Sequence, residues 1–258
     1  MTLAVDIGNT SICLGVFECG ERLVFRAKLA SDHRKSADEY AVLISGVFRM
    51  HGADVTSIDR AVMLSVVPAL THTVCEALGA FGIKPLIVGS GVKTGLCLRV
   101  DTPNLLGTDI VADTVAAMRI AEPPMIVIDL GTATTVTVIN EKGELCGCVI
   151  SPGVKLGQDA LAEKCALLPE VSLSAPPRVV GRNTADSVNS GIVLGTALML
   201  DGFISRISRE MGFEKPSVIA TGGLARLIVP LSENDIIVEP DLTLRGLAHI
   251  SELNQRKK

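Results

Sequence analysis

The chain begins with short runs in which apolar positions alternate and glycine or acidic residues interrupt, the pattern of strands joined by tight turns. Residues 2–7 and 11–18 read as β-strands, Cys19-Gly20-Glu21 turns the chain, and a third strand occupies about 22–29. After the polar loop Ser31-Asp32-His33-Arg34-Lys35 the apolar period lengthens. Ser36 stands as N-cap with Glu39 three positions on, and a helix runs to about Met50. Residues 60–67 form an apolar strand halted by Pro68, and a helix continues through Ala80. Strands at 86–88 and near 97–100 follow, then a loop from Asp101 to Gly107 and a helix over Thr108 to Ala121.

The same order returns. Strands at 125–130, 134–140 and 144–150 precede a helix near 154–165, an irregular proline-bearing stretch at 166–182 and two helical stretches within 184–211. Strand 217–221, the turn Thr221-Gly222-Gly223, a further helix, strand 235–239 and a last helix from Asp241 complete the chain, and its basic end from Gln255 reads as frayed. A strand meander followed by helix crossovers, twice over, predicts an α/β fold with a mixed sheet flanked by helices in each half. The repeat is visible residue by residue. Leu3-Ala-Val-Asp6-Ile-Gly8 recurs 123 positions later as Ile126-Val-Ile-Asp129-Leu-Gly131, and Glu18, Gly20 and Glu21 fall on Glu141, Gly143 and Glu144. Two lobes, residues 1–121 and 122–258, are expected from a duplication, with two acidic glycine loops facing a common cleft suited to phosphate and metal.

Composition narrows the partners. With 48% hydrophobic and 20% charged residues the chain has ample core for an ordinary globular protein. A net charge of −4 argues against a broad basic surface for nucleic acid or an anionic membrane. Apolar runs reach only about eight residues against the roughly 20 that span a bilayer. A strand at the very start, with no basic and apolar leader, points to the cytoplasm. Seven scattered cysteines fit reduced thiols. Cys146 and Cys148 share a strand face, but no nearby His completes a metal set.

Three glycine loops carry candidate chemistry. In Asp6-Ile7-Gly8-Asn9-Thr10-Ser11 the glycine admits close approach of an anion to backbone amides, Asn9 and Thr10 add short donors, and a strand-end carboxylate suits Mg²⁺. The same residues also make ordinary turns. Asp129-Leu-Gly131-Thr132-Ala-Thr134-Thr135 repeats the arrangement with more hydroxyls, and Thr221-Gly222-Gly223 opens a helix after a strand. No Gly-Lys-Ser/Thr and no G-x-G-x-x-G occurs, so a nucleotide would be held without a P-loop lysine. Gly107-Thr108-Asp109 starts a helix, where Asp109 serves either as a cap or as a general base toward a hydroxyl attacking a phosphate.

At these residues the chain resembles the type III pantothenate kinase family. The resemblance rests on Asp6-x-Gly-Asn-Thr10, Ser65-Val-Val-Pro68, Gly107-x-Asp109, Asp129-x-Gly-Thr-Ala-Thr134, Ser151-Pro-Gly153, Asn183-Thr184 and Thr221-Gly-Gly223, in order from about residue 2 to 250. It implies two duplicated ribonuclease-H-like lobes of the actin, sugar kinase and acetate kinase superfamily. It also implies transfer of the ATP γ-phosphoryl group to the primary hydroxyl of pantothenate, the first step of coenzyme A synthesis. Carried onto this sequence, Asp109 is the base, and Gly107, Thr108, Asp109 and Thr184 meet pantothenate. Residues 6–11 and Thr132 hold ATP, which brings Mg²⁺, and Asp129 takes a monovalent cation, potassium or ammonium. The family is homodimeric.

Three positions depart from the family pattern: Ile110 replaces an arginine, Val100 a tyrosine and Leu105 an acidic residue. Isoleucine offers none of an arginine's fork of donors. Two other readings therefore stand beside the first: a kinase for a less polar hydroxyl substrate, and a nucleotide- or pantothenate-sensing regulator without turnover. Arg99 and Lys155 are candidates to replace the lost cation.

Overall fold

The computed structural model describes residues 1–255; the last three residues of the basic end, 256–258, lie outside the described residues. Contacts divide the chain into two compact units. The first comprises Met1–Leu96, Thr102–Ala116 and the segment from Asp241 onward, and the second Cys97–Asp101 with Ala117–Pro240.

In the first unit, β1 (Thr2–Ile7) pairs antiparallel with β2 (Ser11–Glu18), which pairs antiparallel with β3 (Arg22–Ala30). Helix α1 (Ala37–Met50) begins with both arms of the capping box: Glu39 N–H donates to Ser36 Oγ and Ser36 N–H to the Glu39 carboxylate. Strand β4 (Arg60–Ser65) lies parallel to β1, helix α2 (Pro68–Gly79) crosses over, and β5 (Pro85–Ile87) lies parallel to β4. The sheet order is β3-β2-β1-β4-β5. Because strand side chains alternate, one face packs Leu3, Val5, Ile7, Ile12 and Leu14 against Tyr40, Ile44 and Phe48 of α1 and Leu70 and Val74 of α2. The other packs Ala4, Phe17, Val62 and Leu64 against Ala112 and Val115 of α3 (Thr108–Ala117) and Leu244 and Leu247 of the last helix.

The second unit repeats the plan. After the short β6 (Cys97–Leu98), strands β7 (Met125–Leu130), β8 (Ala133–Ile139) and β9 (Glu144–Pro152) form the meander. Helices α4 (Val154–Lys164), α5 (Thr184–Asn189) and α6 (Gly195–Met211) follow, the last two joined by one π-turn at Ser190–Leu194. Strand β10 (Ser217–Thr221), the four-residue helix α7 (Ala225–Ile228) and β11 (Ile237–Val238) complete the sheet, in order β11-β10-β7-β8-β9-β6. The burial pattern along β1 is repeated along β7, with Asp6 and Asp129 the one half-buried residue in each. The helical run Thr184–Met211 is long and apolar enough to cross a membrane by length and composition alone. Here it buries Val193, Ala197, Leu200, Ile204 and Ile207 in this unit's core.

The units are not the consecutive lobes 1–121 and 122–258. The last helix, α8 (Leu242–Leu253), belongs to the first unit, where it covers β1, β2 and β4. Thr243 Oγ1 donates to the buried Asp113 at 2.6 Å, and Arg26 pairs with Asp241 at 2.8 Å. Apolar pattern along the chain says that α8 has a buried face but not which sheet buries it. Strand β4 also ends earlier than its apolar run: the Val66 N–H makes the last bond to β1, at the Ile7 carbonyl, and Ser65 Oγ takes the Val67 N–H.

Candidate active site

The first loop joins β1 to β2 through Gly8, Asn9, Thr10 and Ser11, with Ile7 opposite Ile12 as the last pair. It is closed by Gly8 N–H donating to the Ser11 carbonyl (3.0 Å) and braced by Ser31, whose hydroxyl donates to the Gly8 carbonyl (2.6 Å) and whose N–H donates to that of Thr10 (3.2 Å). Asn9 and Thr10 are exposed at its tip. The Ile7 side chain is fully buried in the core and its carbonyl accepts the Val66 N–H, so only its backbone faces the loop. Asp6 lies opposite Cys13 and Leu64, on the sheet face shared with α3 and α8. Burial first, and the Asp6 charge second, raise the Cys13 thiol pKa, so that thiol stays protonated.

In the second unit, Leu130 faces Thr134 and only Gly131, Thr132 and Ala133 lie between them. Gly153 N–H donates to the Thr132 carbonyl (3.1 Å), as Ser31 does to Thr10. Thr132 therefore matches Thr10, Gly131 matches Gly8, and Asn9 has no counterpart. The hydroxyl-rich reading of this loop also narrows. Thr132 is exposed, but Thr134 is only 1% exposed, with its hydroxyl and that of its strand partner Ser151 unpaired.

Two glycines define the space around the second loop. A Cβ on Gly153 would stand 2.3 Å from the Thr132 carbonyl oxygen. One on Gly222, where φ is +96°, would stand 2.6 Å from Asp129 Oδ1 and 2.6 Å from the Leu130 carbonyl oxygen. Asp129 is thus held against Gly222 at the end of β10, whose Thr221 pairs with Asp129 in parallel register. Of these residues Gly222 and Gly153 were visible as motifs; Ser31 was not, and aligning the repeat on Thr10 and Thr132 would have found it.

Asp109 lies in the first turn of α3 and accepts the Ile110 N–H at 2.9 Å. Its carboxylate folds over Gly107, where a Cβ would meet Asp109 Oδ1 at 2.3 Å. Asp6 and Asp109 belong to the same unit, and α3 packs on the sheet face that carries Asp6. Ile110 is 6% exposed and so lies in the interior, whereas Leu105 is 82% exposed. The two departures do not build one apolar wall. Arg99 and Lys155 are committed elsewhere. Arg99 pairs with Glu144 (3.3 Å), and Lys155 pairs with Asp159 (2.9 Å) and Glu170 (2.8 Å), which raise its pKa.

Thr184 lines a pocket of about 580 Å³ within the second unit, together with Arg182, Asn183, Ser187 and the apolar Leu161, Leu168 and Val188. Neither Asp129 nor Thr132 lines it. Its rim is the irregular segment 166–182, which buried amides pin down: Asn189 Nδ2 donates to the Ser172 carbonyl (3.1 Å), and Gln158 Nε2 donates to that of Val171. Among the described residues no group of three or more His, Cys, Asp or Glu is arranged to hold a metal. Isolated strand-end carboxylates beside glycine loops fit Mg²⁺ arriving with phosphates, since that ion takes one or two carboxylates and completes its shell with phosphate and water.

The type III pantothenate kinase family model matches residues 2–206. The type III pantothenate kinase of Geobacter sulfurreducens is 40% identical over 256 residues, covering 99% of this chain and 100% of that protein. That of Moorella thermoacetica is 42% identical over 255 residues, covering 98% and 100%. Among solved structures, a conserved putative Baf family transcriptional activator from Campylobacter jejuni superposes with a TM-score of 0.60 at 17% identity over 98% of each chain. The activator of the 2-hydroxyisocaproyl-CoA dehydratase from Clostridium difficile with bound ADPNP superposes with 0.57 at 14% identity, over 100% of this chain and 98% of that one. These likenesses bear on the fold, and agree with a ribonuclease-H-like arrangement in each unit. Matching over almost the full length of both chains at about 40% identity settles the lineage: this chain belongs to the type III pantothenate kinase family.

Proposed function

We propose that this protein transfers the γ-phosphoryl group of ATP to the primary hydroxyl of pantothenate, giving 4'-phosphopantothenate in the first step of coenzyme A synthesis. The observation that carries the reading is the full-length similarity to type III pantothenate kinases, joined to two acidic glycine loops, the second of them flanked by Gly153 and Gly222 where no Cβ fits. Asp109 is the general base. Its carboxylate takes the hydroxyl proton while the oxygen attacks the γ-phosphorus in line, and the bond to the β-phosphate oxygen breaks with its electron pair leaving on ADP. Amides and side chains of residues 6–11, with Asn9 and Thr10 foremost, and Thr132 in the second unit hold the phosphates. Mg²⁺ accompanying ATP supplies charge neutralisation on the β- and γ-phosphates. Asp129 is assigned to a monovalent cation, potassium or ammonium, and Gly107, Thr108 and Thr184 to pantothenate. A cytoplasmic homodimer is the working form.

A coupled assay for ADP release with and without pantothenate, in potassium and in sodium buffers, tests the reading. Asp109→Asn is expected to lower kcat by about 10²–10⁴-fold, the usual worth of a general base, with ATP affinity nearly unchanged. A variant keeping most of its kcat places the base elsewhere. ATP binding without any phosphorylated product would instead support the sensing role.

A further inference from the structure

Ile110, next to Asp109, offers no cation, and Arg99 and Lys155 are already bound to carboxylates. The pocket that contains Thr184 holds one basic side chain, Arg182, and no acidic one among its lining residues. Arg182 forms no ion pair among the described residues. The nearest acidic side chain in sequence, Asp186, is engaged by Asn183: Asn183 Nδ2 donates to its Oδ2 and its own N–H donates to Asn183 Oδ1, both at 2.8 Å. Gly181 presses against α5, where a Cβ would lie 2.4 Å from the Ser187 nitrogen, so the backbone that carries Arg182 is set beside Ser187 and Thr184. Leu161, Leu168 and Val188 line the same pocket. The cavity therefore offers an apolar wall, two hydroxyls and one guanidinium, in a volume of about 580 Å³ that suits a small molecule.

We propose that Arg182 is the residue that selects an acidic acceptor, pairing through its guanidinium with the substrate carboxylate while the apolar wall receives the aliphatic body. This rests on the kinase reading above. A guanidinium matches a carboxylate with two parallel N–H···O bonds, which no other side chain in this pocket supplies. Specificity for the acid is thus carried by the strap at 166–182 and its junction with α5, and the interior position of Ile110 carries none of it.

Steady-state kinetics with pantothenate and with pantothenol, its neutral analogue bearing a hydroxymethyl group in place of the carboxylate, test this directly. For Arg182→Gln the ratio of kcat/KM for the acid to that for the alcohol is expected to fall about 10- to 100-fold, mainly through KM for the acid, with KM for ATP unchanged. Arg182→Lys, which keeps the charge and loses the fork, should fall between. An unchanged ratio in both variants, with wild-type turnover of pantothenate intact, overturns the assignment of Arg182 alone. Wild-type protein inert toward both compounds removes the kinase reading, and this proposal with it.

Discussion

The two hairpin loops descend from one pattern yet are built to different tolerances. In the first, Gly8 to Ser11 span four positions, Asn9 stands exposed at the tip, and Ser31 braces the turn through its hydroxyl and its amide. In the second, Gly131 to Ala133 span three, and Gly153 takes the place of Ser31 with backbone pressed on backbone. The matched glycines are alike, a Cβ on Gly8 coming 3.2 Å from the Ser11 carbonyl oxygen and one on Gly131 3.3 Å from the Asp129 carboxylate, but one on Gly153, where the first loop has Ser31, would come within 2.3 Å of the Thr132 carbonyl oxygen. One loop is longer and braced by a side chain; the other is shorter and hemmed in by the backbone at Gly153 and Gly222. A duplicated element thus diverged into a donor-rich arm and a rigid seat.

The largest test of that contrast is steric. Gly153→Ala or Gly222→Ala is expected to destabilise the protein by about 2–4 kcal/mol, from overpacking against backbone and, at Gly222, from an unfavourable φ. Gly8→Ala should cost about 1 kcal/mol or less. Denaturant titrations of the three variants measure this, and equal costs at all three sites would mean that the loops are equally rigid.

The next test removes the extra residue. Deleting Asn9 gives the first loop the length already accommodated in the second, so the fold should survive with a small change in Tm. KM for ATP should rise about tenfold, the worth of one good hydrogen bond to phosphate. Collapse of the fold would show that the two hairpins are not interchangeable in length.

The smallest effect lies at the far turns, Glu18–Glu21 and Asn140–Glu144. Glu144 is held below the ordinary carboxylate value chiefly by the hydrogen bond from Asn140 Nδ2 (2.8 Å), with the charge of Arg99 adding to it. A depressed pKa contributes stability above the unfolded value of about 4.5, and that contribution is lost as pH falls through the lower folded value. Asn140→Ala should therefore lower Tm slightly at pH 7 and hardly at all near pH 3. A loss independent of pH would assign the effect to backbone turn geometry, where Asn140 Oδ1 accepts the Lys142 and Glu144 amides (3.0 Å each).

Much of this was legible before any coordinates. Strands β1 and β7 fall within the residues that short apolar runs bounded by glycine loops mark, because a central strand covered on both faces is apolar along its length. Helix α1 begins where Ser36 and Glu39 say it should, since that motif satisfies amides that no other local partner reaches. The loops around Asp6 and Asp129 were legible because glycine beside a strand-end carboxylate is a local pattern. Ser31 and Arg182 were not, because their meaning depends on what folds against them. Thr134 misled for the opposite reason: a hydroxyl next to a loop reads as a donor until its strand register turns it inward.

The sequence by itself determined the α/β plan, the duplication, the glycine loops and the kinase lineage, all of which are written in short-range pattern and residue identity. Only the tertiary structure decided that α8 returns to the first unit, that Asn9 is the unmatched residue of the repeat, that Ile110 is interior and that Arg182 lines the pocket with Thr184. The physical reason is common to all four. Periodicity records that a side chain is buried or a turn is tight, while the partner that buries it or closes it comes from a distant part of the chain, chosen by packing.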